Sequence, residues 1–101
     1  MTKSEIIDIV AQGTGLTKVE TSAVVDGVLA TIHYALATGD SVTLRGFGSF
    51  RVVQRKGRKG LNPKTGKVMN VPPHKSPVFR PSKDLRKAVD AGVENPEFQA
   101  S

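Results

Sequence analysis

Between Arg55 and Lys75 the chain reads RKGRKGLNPKTGKVMNVPPHK, with seven cations (Arg55, Lys56, Arg58, Lys59, Lys64, Lys67 and Lys75) and no carboxylate. Lys and Arg at this density suit a polyanion. Each cation that neutralises a phosphate releases condensed counterions, which gives affinity without reading sequence. Arg also fits a narrow minor groove, where negative potential is enhanced. Near the middle stands Asn62-Pro63-Lys64-Thr65-Gly66, a turn by composition between two extendable halves. Pro63 is the sharpest residue of the stretch. Asn-Pro starts turns, and a rigid apolar ring at an arm tip can also wedge between base pairs and kink a duplex. The two readings are compatible.

Elsewhere the chemistry is sparse. Arg80, Lys83, Arg86 and Lys87 form a second basic patch around the start of a helix, where the dipole disfavours positive charge. That arrangement makes sense if phosphate oxygens arrive there. His33 and His74 stand apart with no metal-ligand spacing, and the carboxylates lie at helix starts and in the tail. No catalytic residues, no metal site and no cofactor are expected. Gly46-Phe47-Gly48 lacks the Lys-Ser/Thr of a phosphate-binding loop and opens no helix, so it reads as a hairpin turn. Cysteine is absent, which excludes disulfides and thiolate metal sites and suits a reducing cytoplasm.

The elements that must hold these residues follow from periodicity. Thr2-Lys3-Ser4-Glu5 and Thr17-Lys18-Val19-Glu20 are capping-box patterns. They open a first helix from about Lys3 to Gln12 and a second from about Lys18 to a stop at Gly39. On the second helix Val25, Val28, Leu29, Ile32 and Leu36 follow helical spacing and predict a wide buried stripe. After Asp40 the pattern alternates, giving strands around Val42–Leu44 and Phe50–Val52, with Phe47 and Phe50 read as core. The basic stretch then leaves as a two-stranded arm. It returns through Pro72-Pro73 to Pro77-Val78-Phe79-Arg80. Ser82 caps a short third helix bearing Leu85 and Val89, which Gly92 ends. The remainder, residues 93–101, is acidic, proline-broken and read as a flexible tail.

With 101 residues this is one domain, and with the arm set apart only about eighty residues remain to fold. Aromatics are few, and a partner subunit is expected to complete the core. The net charge of +6 conceals segregation: residues 1–50 sum to −2, residues 51–87 to +11 and residues 88–101 to −3. Such asymmetry is the footprint of a nucleic-acid binder. No run approaches transmembrane length, so no membrane association is expected.

Gly46-Phe47-Gly48-Ser49-Phe50, Arg55, Arg58, Gly60, Asn62-Pro63, Thr65-Gly66, Pro77, Phe79, Arg80 and Lys83 together resemble the signature of the bacterial HU/IHF family of histone-like proteins. The likeness spans about residues 1–91. It implies an α+β fold: an N-terminal helical hairpin, a three-stranded antiparallel sheet with a long protruding β-ribbon arm, and a short C-terminal helix, in an intertwined dimer. Residues 1–92 would be the DNA-binding domain. The resemblance implies that Pro63 intercalates at each arm tip and that Arg55, Arg58, Lys59, Asn62, Lys64, Lys67 and Lys75 serve the arm's DNA contact. Arg80, Lys83 and Lys87 would meet flanking phosphates, and Lys3 and Lys18 would extend the path on strongly bent DNA. Leu61 departs from the family pattern, since many relatives carry Arg just before Asn-Pro.

The function expected is architectural: a cytoplasmic, nucleoid-associated homodimer, or a heterodimer with a paralogue, that bends and compacts double-stranded DNA with little sequence preference. Bent, nicked or flexible DNA should be favoured, because unstacking costs less where stacking is already broken. The alternatives are a sequence-specific IHF-like bender and an RNA-binding protein. The second would more often display aromatics for stacking, and this arm has none.

Overall fold

A computed structural model describes residues 1–92 and gives the order α1 (Lys3–Thr14), α2 (Lys18–Ala37), β1 (Val42–Leu44), β2 (Gly48–Arg55), β3 (Arg58–Leu61), β4 (Val68–Val71), β5 (His74–Pro81) and α3 (Lys83–Ala91). The expected tail, residues 93–101, lies outside the described residues. The α+β architecture is the one expected from the sequence: a helical hairpin, a three-stranded antiparallel sheet in the order β1-β2-β5, and a ribbon β3-β4.

Local chemistry sets the helix ends. The Thr17 hydroxyl accepts from the Glu20 N–H at 3.1 Å while Glu20 Oε1 accepts from the Thr17 N–H at 3.0 Å, a complete capping box. The Thr17 N–H foremost, and the Thr17 hydroxyl donating to the same Oε1 at 2.9 Å, hold the Glu20 carboxyl below its usual pKa. Its share of the cap is therefore present above the ordinary carboxylate value and fades as pH falls through the lowered one. At α1 the box is half made. Thr2 accepts from the Glu5 N–H at 3.2 Å, but Glu5 Oε1 meets the Thr2 hydroxyl at 3.4 Å. The first helix also runs two residues past the expected Gln12. Gly13 stays helical, Thr14 Oγ1 donates to the Val10 carbonyl at 2.7 Å, and the turn to positive φ comes at Gly15. The second helix stops where expected: Gly39 N–H donates to Leu36 O and Asp40 N–H to Ala35 O, the paired bonds of a Schellman motif.

The expected buried stripe of α2 is not covered within one chain. Val28 is 51 % and Leu29 49 % exposed, and among the described residues only Ile7 and Ala11 are buried apolar side chains. The reason is geometric: α1 crosses one flank of α2, the sheet touches part of it, and no further element is left to cover the rest. Phe47 likewise is not core; it is 48 % exposed. It joins Phe50 around Phe79, with ring centroids 5.4 and 4.8 Å away.

Ser82 ties the third helix to this cluster. Its hydroxyl accepts from the Leu85 N–H at 3.1 Å and donates to the Gly46 carbonyl at 2.9 Å, and its own N–H donates to Phe47 O at 2.8 Å. Ser82→Ala is therefore expected to lower stability by about 1–2 kcal/mol, as other lost caps do. Urea unfolding measures this, and an unchanged midpoint would mean that the backbone bond alone seats α3.

Candidate nucleic-acid interface

The ribbon is an extension of the sheet. The β2–β5 ladder ends with Arg55 opposite His74, and the β3–β4 ladder begins with Arg58 opposite Val71. The pairing stays in phase across the gap, so Lys56 and Gly57 stand opposite Pro73 and Pro72. Neither proline has an N–H to donate, and the ladder is broken there without losing register. At this root the strands approach closely: a Cβ on Gly57 would lie 2.8 Å from the Val71 carbonyl oxygen and 3.0 Å from Pro73 Cδ. The chain is elongated. The Cα radius of gyration is 18.5 Å with a 53 Å principal extent, against about 13 Å for a compact chain of 100 residues.

Pro63 lies on the tip loop between Leu61 and Val68. Asn62 N–H donates to the Lys67 carbonyl at 2.8 Å, Gly66 N–H donates to Asn62 O at 2.7 Å, and Asn62 Oδ1 accepts from the Lys64 N–H at 2.9 Å. Gly66 takes φ +69°, which closes the loop. The tip is thus held by bonds that do not involve Pro63, whose ring is exposed. Asn62, counted above among the DNA-contacting residues, is half-buried, and its carbonyl oxygen serves the turn.

Between Arg51 and Pro81 there is no carboxylate. Arg55, Arg58, Lys59, Lys64, Lys67 and Lys75 are all exposed along the ribbon, and Arg80, Lys83 and Lys87 are exposed at the other end of β5 and on α3. Cross-strand pairing sorts them by face. Ser49 with Arg80, Arg51 with Val78 and Arg55 with His74 share one face of the sheet; Phe50 with Phe79 and Val52 with Pro77 share the other, toward α2. Arg51 therefore belongs to the same basic face as Arg55 and Arg80. Sequence reasoning missed it, although alternation from the apolar Phe50 and Val52 was the signal that could have found it. Lys3 stands elsewhere, 2.9 Å from Asp26, and Lys18 is 3.2 Å from Asp8. Among the described residues these two ion pairs clamp α1 to α2, and the ribbon cations make none.

Comparison with known proteins agrees with this geometry. Residues 1–90 match the family model described as bacterial DNA-binding protein. The chain belongs to that family, the HU family. A DNA-binding protein HU from Geobacillus stearothermophilus is 47 % identical over 89 residues, 88 % of this chain and 99 % of its own length. Another from Xylella fastidiosa is 48 % identical over 93 residues, 92 % and 99 % of the two chains. Among solved structures, the Anabaena HU–DNA cocrystal structure matches with a TM-score of 0.82 at 44 % identity, covering 88 % of this chain and 97 % of that one. HU from Thermotoga maritima matches with 0.63 at 35 %, covering 88 % and 98 %. In this HU-family chain no described helix is long and apolar enough to cross a membrane.

Proposed function

We propose that this chain is a histone-like architectural protein that binds double-stranded DNA largely without base readout and bends it. The observation that carries the reading is a carboxylate-free ribbon, exposed along its length, that ends in a hydrogen-bonded turn presenting Pro63. The cations neutralise backbone phosphates as the ribbon follows the minor groove, and the proline ring enters a base step and kinks it. Arg51, Arg55 and Arg80 on one sheet face, with Lys83 and Lys87 on α3, receive the flanking phosphates. The role is structural rather than catalytic. A protein bound to DNA in this way would reside with the nucleoid.

Two copies make the working unit. Val24, Val28, Leu29, Leu44, Phe47 and Phe79 are each at least 37 % exposed in the single chain, an apolar surface too extensive for a stable monomer. A second copy covering the open flank of α2 and the aromatic cluster would complete the core and set two arms around one duplex.

The test is binding to an intact duplex, the same duplex with a nick, and a matched double-stranded RNA, across a salt series. Salt-steep binding that favours the nicked duplex is expected, and Arg58→Ala should flatten the log–log slope by about one for each arm engaged. Equal affinity for all three nucleic acids would reduce the ribbon to a general polyanion clamp. A slope untouched by Arg58→Ala would remove that residue from the phosphate path.

A further inference from the structure

The ribbon's first two rungs each carry a cation, Arg58 and Lys59, yet its last two, Gly60 with Met69 and Leu61 with Val68, carry none. Leu61 faces Val68 at the last of them, on the same ribbon face as Lys59 and Asn70, and the two are 69 % and 65 % exposed. Pro63 follows two residues later on the tip loop and is exposed as well. An aliphatic pair at the end of a solvated ribbon has little to pack on in its own chain, and its burial remains unused until something covers it.

We infer that Leu61 and Val68 form, with Pro63, an apolar tip that seats against the deoxyribose walls of the minor groove beside the kinked step. It adds a salt-insensitive part to a contact otherwise made by charge. This deepens the DNA-bending reading above and rests on it. Charge complementarity fixes the occupant. Lys59, Lys64 and Lys67 surround the tip, and no carboxylate occurs from Arg51 to Pro81. A collar of one sign draws in a polyanion, and the polyanion that offers C–H surface between two phosphate rows is a duplex groove. Leu61 thus sets how steeply binding depends on salt. An uncharged side chain at this rung gives up one possible phosphate contact and makes affinity less dependent on ionic strength.

The test compares the parent protein with Leu61→Thr, which keeps a strand-forming residue, and Leu61→Arg, on a short duplex labelled at both ends for energy transfer. Leu61→Thr is expected to weaken binding about fivefold at every salt concentration, with the log–log slope unchanged. Leu61→Arg should steepen the slope by about one per arm, binding more tightly than the parent at low salt and more weakly at high salt. Val68→Thr, on the facing strand, should repeat the Leu61→Thr result. Threonine variants that match the parent in affinity and bending would overturn the inference. So would variants whose only change is the sedimentation of the free protein, since the tip would then serve self-association. A parent that fails to bend duplex DNA at all would defeat the underlying reading instead, and the parent is measured first.

Discussion

Gly48→Ala is expected to lower the thermal unfolding midpoint by at least about 12 °C, the shift that roughly 3 kcal/mol of overpacking produces in a domain of this size. Gly48 is buried at the start of the central strand, paired with Leu44 on one side and Pro81 on the other. A Cβ there would sit 2.6 Å from the Arg80 carbonyl oxygen and 2.6 Å from Cε1 and Cζ of Phe79. Neither neighbour can move cheaply. The carbonyl belongs to β5, which is laddered to β2, and the Phe79 ring is held between Phe47 and Phe50. The missing side chain is the space the ring occupies. Gly60 is the control, because a Cβ at that ribbon position meets nothing within 4 Å. Gly60→Ala should melt within a few degrees of the parent. Calorimetry at one fixed protein concentration separates the two, and equal midpoints would mean that Phe79 is not anchored as described.

The second large effect is expected on DNA shape. Pro63→Ala should remove more than half of the bending seen by energy transfer between the duplex ends, while affinity for an intact duplex changes by less than about tenfold. The separation follows from the tip's construction. Three hydrogen bonds made by Asn62 and Gly66, with Gly66 at positive φ, hold the loop without help from the Pro63 nitrogen, so alanine leaves the fold of the tip in place. The ribbon cations and their phosphate contacts also remain. Only the rigid ring is gone. On a nicked duplex the loss should be smaller, because a broken backbone unstacks at less cost. Undiminished bending by the variant would place the wedge in another residue.

Much of this was legible in the residues themselves. The capping pairs, the stop at Gly39, the switch to alternation after Asp40 and the Asn-Pro turn are local signals, and each produced the element it announced. What local signals lack is knowledge of what lies above a surface. Val28 and Leu29 carry the pattern of a buried stripe, yet one chain leaves them 51 % and 49 % exposed; in the proposed pairing of two copies the periodicity would describe the assembly rather than the single chain. The first helix outruns its expected end at Gln12 because the Thr14 hydroxyl bond and the positive φ of Gly15 set the stop beyond Gly13. Arg51 was passed over because it lies outside the dense basic run. Alternation along β2 sets it on the face of Arg55, and strand pairing brings Arg80 to the same face. Lys3 drew attention as a cation, and the fold pairs it with Asp26 across the hairpin.

The proline break at the foot of the ribbon has a mechanical consequence. From Gly57 to Pro63 the ribbon spans roughly 20 Å at strand spacing, so it acts as a lever whose fulcrum lacks ladder bonds. A tilt of about 15° at the fulcrum carries the tip sideways by about 5 Å, close to the 6 Å width of a minor groove. Such a tilt would leave the β2–β5 ladder of the body unchanged. In the DNA-bending reading proposed above, a ribbon geared in this way would meet grooves of unequal width by swinging, and tolerance for sequence would become a property of leverage.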